Sequence, residues 1–179
     1  MPTVDEMIDA ILQREGGYVD HPADRGGPTN FGITQKTLSR YYGWAVTAQE
    51  VKDLEVEVAR EIYVQDYYTG PRIDSLPPEI QPFLFDCAVN HGPRRAIKFL
   101  QSVCNQAGYQ PPLDMDGAVG PNTRKGAEWA LREMGDILLK ALIEERRNFY
   151  LVIVDQRPSQ QVFLNGWLNR IREFEEEVA

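Results

Sequence analysis

Three side chains near the start of the chain have the types and spacing to split an acetal. Glu15 stands immediately before Gly16-Gly17, Asp24 follows after eight intervening residues, and Thr29 follows after four more. Cleavage of a glycosidic C–O bond needs a protonated carboxyl to donate to the leaving oxygen. It also needs a second group on the opposite face of the sugar, either a nucleophile or a base that guides water. Glu15 suits the acid, because the glycine pair should end a helix there and the negative end of the helix dipole favours the protonated form. Asp24 suits the ionised partner, and Thr29 the hydroxyl that holds a water. Tyr18, Asp20 and Asn30 in the same stretch are substrate-binding candidates, with Asp20 the reserve choice for Asp24. Taken singly, these aspartates are ordinary turn formers and Glu15 an ordinary helix-end residue; the spacing is what raises the catalytic reading.

The elements around this stretch are there to position it. Thr3 and Glu6 make a capping-box pattern, and Val4, Met7, Ile8, Ile11 and Leu12 fall on one face of a helix from Val4 to about Glu15. Glycines 16, 17, 26, 27 and 32 and prolines 22 and 28 then predict a tightly turned loop with a small β element between Tyr18 and Ile33. Thr34 caps a helix stopped by Gly43. Thr47 with Glu50 is a second capping box, opening a helix that reaches about Tyr67 with a break near Leu54. Tyr63, Tyr67 and Tyr68 could line a cleft or simply pack.

Leu76-Pro77-Pro78 is a firm break. The helix predicted from Pro78 to His91 is apolar all round, with Asp86 and Asn90 as its polar exceptions, and so belongs in the core. Another helix follows Gly92-Pro93 to near Gly108, with Ala96, Ile97, Leu100, Val103, Cys104 and Ala107 inward. Residues 109–121 read as a loop. Its Asp114, Asp116 and Gly117 do not fit a calcium loop, because with Gly117 at the turn Pro112 takes the first ligand position and Thr123 stands where a bidentate Glu is needed. Helices are predicted over Pro121 to Met134, Asp136 to Gln156 and Ser159 to Glu177, the last capped by Ser159 and carrying an inward stripe of Phe163, Trp167, Ile171 and Phe174.

The motifs EGGY (Glu15 to Tyr18), D-x-G-G-x-T-x-x-G-I-T (Asp24 to Thr34) and FDCAVNHG (Phe85 to Gly92) resemble glycoside hydrolase family 108, a family of bacterial and phage N-acetylmuramidases. The Glu15, Asp24, Thr29 spacing is similar to the Glu, Asp, Thr triad of phage-type lysozymes. DGAVGPNT (Asp116 to Thr123) resembles the helical peptidoglycan-binding region that follows such catalytic parts. The resemblance implies Asn90 facing the substrate cleft; the alternative is a structural role, since a buried Asn must be hydrogen-bonded. It also implies a division into a lysozyme-like catalytic region, 1–92, and a helical peptidoglycan-binding region, 93–179, packed against it.

Composition narrows the partners. Apolar residues at 42% and charged residues at 26% are those of an ordinary globular protein. A formal charge of −8 argues against nucleic acid, which wants a basic face. No apolar run reaches the length of a membrane helix, and MPTVDEMIDA has no basic segment followed by an apolar core, so neither stable membrane insertion nor a secretory signal is expected. Cys87 and Cys104 read as buried thiols. His21 and His91 are not at metal-ligand spacing, and the mechanism needs no metal or organic cofactor.

The expectation is a mainly α, lysozyme-like fold with a β-hairpin beside Glu15, acting as a monomer on peptidoglycan glycan strands. The reaction expected is muramidase cleavage of the β-1,4 bond between N-acetylmuramic acid and N-acetylglucosamine. The setting expected is phage lysis, with an enzyme made in the cytoplasm and reaching periplasmic peptidoglycan through, for example, a holin. The alternatives are a lytic transglycosylase, in which the sugar's own hydroxyl replaces water, or a bacterial enzyme that remodels wall or assists secretion. A wall-binding protein without catalysis is the reading that an intact Glu15 motif opposes.

Overall fold

A computed structural model of the chain describes residues 2–20 and 27–177. It has two compact units, Met1–Gly70 and Pro71–Ala179.

In the first unit, α1 (Val4–Glu15) opens with the expected capping box: the Thr3 hydroxyl accepts from the Glu6 amide at 3.2 Å, and the Glu6 carboxylate accepts from the Thr3 amide at 2.7 Å. This reciprocal pairing satisfies two donors that a helix start otherwise leaves open. Met7, Ile8 and Ile11 bury the apolar face, while Val4 stays at the rim. Gly16 ends the helix with φ +76°, a conformation that costs a side-chain-bearing residue about 1–2 kcal/mol. The expected hairpin is β1 (Thr29–Asn30) paired antiparallel with β2 (Ile33–Thr34), extended by a bridge from Thr29 to Val19. Thr34 then caps α2 (Gln35–Tyr42), and Gly43 closes it in the left-handed region.

The helix expected from Thr47 to Tyr67 is three pieces. Thr47 and Glu50 box the start of α3 (Ala48–Lys52), α4 (Val56–Val64) follows the break, and a π-helical turn (Gln65–Thr69) ends the run. Gly70 donates to the Gln65 carbonyl at 2.9 Å to close that turn. A Cβ on Gly70 would lie 2.3 Å from the same oxygen, so the wide turn depends on glycine. Helix α4 packs on α1, with Arg60 of α4 paired to Asp9 of α1 at 2.6 Å.

In the second unit, the turn predicted as the start of a helix at Pro78 is 3-10 (Pro78–Ile80), and α5 proper is Gln81–His91. Phe83, Leu84, Phe85, Cys87 and Ala88 are all buried, as an all-round apolar helix should be. Helix α5 packs on α6 (Pro93–Gln106), α6 on α7 (Pro121–Met134) and α8 (Ile137–Gln156), and α8 on α9 (Gln161–Glu177). Both cysteines are free and buried, and burial foremost pushes each thiol up to about 12.

Three expectations in this unit change. Phe163 is 53% exposed and stacks on Trp167, so only Ile171 and Phe174 of the expected stripe reach the core. Ser159 does not cap α9: it lies inside a 3-10 turn, Pro158–Gln160, begun by the preset φ of Pro158. Ala107 is exposed at the end of α6, whereas Phe99 and Gln101 are buried.

Gln101 explains the DGAVGPNT stretch. Its Nε2 donates to Asp116 Oδ1 at 2.8 Å, the Ala118 carbonyl at 3.2 Å and Thr123 Oγ1 at 3.1 Å, and its Oε1 accepts from the Gly117 amide at 2.9 Å. The Gln101 bond first, then the Ala118 amide, which donates to Asp116 Oδ1 at 2.9 Å, hold the Asp116 carboxyl below the usual range. Gly117, at φ +72°, lies where a Cβ would meet the Arg94 carbonyl at 2.5 Å. The motif therefore fastens the loop to α6 before α7 starts.

Asp86 is fully buried between two arginines: Arg146 Nη1 at 2.8 Å from α8, and Arg170 Nη2 at 3.0 Å from α9. Arg146 also donates to His91 Nε2 at 3.1 Å and Asn90 Oδ1 at 3.2 Å, and Tyr150 donates to the same Asn90 oxygen at 2.6 Å. A buried charge left alone would cost several kcal/mol. Here, as everywhere among the described residues, each buried side-chain polar atom has a partner.

Candidate active site

Glu15 is the last residue of α1, half-buried, and the hairpin tip lies against it. The tip is a two-residue loop, Phe31-Gly32, with φ +50° and +75°. Positive φ at both central residues is the mark of the type I′ turn, whose twist suits a tight antiparallel hairpin. Gly32 gives the close approach: a Cβ there would lie 2.9 Å from Glu15 Cβ, 3.0 Å from Glu15 Oε2 and 2.6 Å from the Tyr63 hydroxyl. Phe31 takes the left-handed conformation with a side chain, a strain of order 1–3 kcal/mol. The Tyr63 hydroxyl, from α4, donates to the Phe31 carbonyl at 2.6 Å and pins the strained turn.

Asn30 fastens the other side of the hairpin. It is buried, and its Nδ2 donates to the carbonyls of Val51 at 3.1 Å and Lys52 at 3.0 Å, two of the orphan acceptors at the end of α3. Its amide group is thus engaged with the scaffold. Thr29 is half-buried in β1, and its backbone exchanges two 2.8 Å bonds with Val19. Tyr18 is at the surface, with its hydroxyl donating to Asp20 Oδ2 at 3.2 Å and Lys52 Nζ 5.9 Å from its ring centre. Asp24 lies outside the described residues, as does His21. Asn90 is in the second unit, where its carbonyl oxygen serves Arg146 and Tyr150.

The structure therefore brings Glu15, Gly32, Phe31 and Tyr63 together, with Thr29 and Asn30 on the strand that carries the tip. Tyr67, whose ring centre is 5.7 Å from that of Tyr63, is within electrostatic reach. Burial first, then the Asp66 carboxylate and more weakly Glu15, raise its phenol, against the opposing pull of Arg40. Gly32 and the Tyr63 hydroxyl were not singled out from sequence. The signal for Gly32 was the Asn-Phe-Gly-Ile run after a glycine-rich loop; the Tyr63 hydroxyl left none. Such a site is a half-buried carboxyl at a helix end, packed against a two-residue turn.

Residues 8–92 match the family model described as Glycosyl hydrolase 108, and residues 95–172 match the one described as Predicted Peptidoglycan domain. The structure of Brucella abortus SagA is similar at 32% identity with a TM-score of 0.78, over 98% of this chain and 92% of that one. No curated protein matches. The chain belongs to the glycosyl hydrolase 108 family. It is a glycoside hydrolase acting on peptidoglycan, with a mainly α, lysozyme-like fold. Helix α5 lies within the first family match yet in the second compact unit, packed on α6 of the second match. No described helix is long and apolar enough to cross a membrane.

Proposed function

We propose that the chain is an N-acetylmuramidase, cleaving the β-1,4 bond that follows N-acetylmuramic acid, with Glu15 as general acid. The observation that carries this is the half-buried Glu15 at the end of α1, with Gly32 packed against its side chain. Glu15 protonates the leaving oxygen as the C–O bond breaks. Asp24 stabilises the positive charge on the sugar or guides the water, and Thr29 holds that water. Tyr18, Asp20 and Asn90 are the substrate-binding candidates, and Asn30 contributes by holding the hairpin. The enzyme acts as a monomer in phage lysis, reaching periplasmic peptidoglycan from the cytoplasm through a holin-type opening.

Purified protein should release new reducing muramic ends from peptidoglycan, read by mass spectrometry. Glu15→Gln keeps the side-chain shape and should lower that rate by about two to four powers of ten, with its thermal midpoint retained. Anhydro-muramic ends would instead assign a transglycosylase, and near-normal lysis by Glu15→Gln would remove Glu15 from the mechanism.

A further inference from the structure

A second feature of the first unit lies along α2. A groove of about 730 Å³ runs beside it, lined by Gln35, Lys36, Ser39, Arg40, Trp44 and Val46 among others. It is a shallow, widely open surface groove and not an enclosed cavity. Trp44 is 55% exposed, unusual for the side chain that has most to gain from burial. It is nonetheless held in place. Its ring stacks on Tyr42 at 4.8 Å and 18°, Tyr42 meets Tyr41 edge-on at 5.3 Å, and the indole Nε1 donates to Glu50 Oε1 at 3.4 Å. The turn that carries it is clamped to α2: Gln35 Nε2 donates to the Val46 carbonyl at 2.6 Å, and the Val46 amide donates to Ser39 Oγ at 3.0 Å.

An indole fixed by its neighbours yet left at the surface is a platform with its ordering cost already met. The partner that fits is flat, has an apolar face of C–H groups and a polar edge: a pyranose ring. The negative π face attracts the weakly positive C–H bonds, and the exposed Lys36 supplies hydrogen-bond donors at the rim. Arg40 is engaged with Asp66 at 2.5 Å, so the exposed Lys36 is the cation for a sugar carboxylate. A lysine beside a presented tryptophan, on a chain of net charge −8, is a local complement to an anionic saccharide. Gln35, which lines the groove, is also the first residue after β2, and its amide donates to the Pro28 carbonyl at 3.2 Å, so one residue joins the groove's wall to the base of the hairpin.

We propose that this groove is an outlying subsite for the glycan strand, with Trp44 stacking on a sugar ring and Lys36 pairing with the lactyl carboxylate of a muramic residue that carries no stem peptide. The proposal rests on the muramidase reading and adds to it a place where the strand is held away from the bond being cut. The test uses the full chain carrying Glu15→Gln, so that ligand is bound without turnover. The probes are solubilised, peptide-free glycan fragments with free muramic carboxylates and the uncharged N-acetylglucosamine hexamer, with titration calorimetry as the readout. Adding Trp44→Ala should weaken binding of both by about tenfold, the size of one aromatic contact, and Trp44→Phe should restore part of it. Lys36→Ala should weaken only the muramic fragments. Lys36→Ala should retain the thermal midpoint, and Trp44→Ala should lower it only modestly, through loss of the Tyr42 stack and the Glu50 bond. Unchanged affinity in Trp44→Ala, beside normal lysis by the wild type and none by Glu15→Gln, overturns the subsite and leaves the muramidase reading standing. Failure of wild-type protein to bind or cut peptidoglycan overturns both.

Discussion

Gly32 stands so close to Glu15 that a Cβ added to it would lie 2.9 Å from the Glu15 Cβ. The glycine therefore does two things: it allows φ +75° at the turn, and it lets the hairpin tip set the position of the acid. Gly43 separates the two. It has φ +83°, but a Cβ there would meet nothing within 4 Å. Gly43→Ala should destabilise by about 1–2 kcal/mol from left-handed strain alone, and Gly32→Ala by more, because its Cβ also collides with Glu15 and the Tyr63 hydroxyl. Only Gly32→Ala should also lower the turnover of the folded enzyme, by tenfold or more if Glu15 moves by about an ångström. Denaturant titration and lysis rates on both variants measure this, and equal activity in the two would remove the turn from the positioning of Glu15.

The aspartates should separate in the same assay. Asp20 is exposed and accepts from the Tyr18 hydroxyl at 3.2 Å. If Asp24 is the partner carboxylate, Asp24→Asn should lower lysis by about a hundredfold or more, and Asp20→Asn by far less, at similar thermal midpoints. A larger loss at Asp20 would transfer the role to it.

Arg146 should prove indispensable to the second unit. It is fully buried and bonds Asp86, Asn90 and His91. Removing one partner of a buried ion pair typically costs about 3–5 kcal/mol, so Arg146→Met should lose most of the folding free energy in urea titration. For the same reason a fragment of residues 1–92 should not unfold cooperatively. It would keep α5 and Asp86 but lack α6, α8 and both arginines. A soluble, fully active fragment with a sharp transition would show that α5 does not need them.

His91 predicts a pH dependence. Its Nε2 accepts from Arg146, and burial first, then the Arg146 cation, bring its pKa down to about 3. In the unfolded chain a histidine titrates near 6.5. Between those values the unfolded chain binds a proton that the folded one refuses. The stability His91 contributes is therefore full above pH 6.5 and declines as the pH falls towards 3. At pH 5 the loss should be about 1–2 kcal/mol relative to pH 7.5. His91→Gln keeps a neutral acceptor and should show a shallower decline in urea midpoint; parallel profiles would mean that His91 does not titrate this way.

Local order was legible in the sequence because it is made by neighbours. The capping boxes of Thr3 with Glu6 and Thr47 with Glu50, the glycine stops after Glu15 and Tyr42, and the hairpin near Thr29 each depend on residues a few positions apart. So does the placement of Glu15 at a helix end. Only the tertiary structure decided what those pieces do to one another. Asn30 reads as a polar loop residue until its amide is seen on carbonyls 21 and 22 positions away. Asp86 reads as a blemish on an apolar helix until Arg146 and Arg170 arrive from 60 and 84 positions further on. The left-handed Phe31 contradicts its own propensity and is held by a tyrosine hydroxyl 32 residues later. Propensity and spacing carry only short-range energies, whereas the acid's neighbour, the hairpin's anchor and the core's buried charge are set by contacts between distant segments.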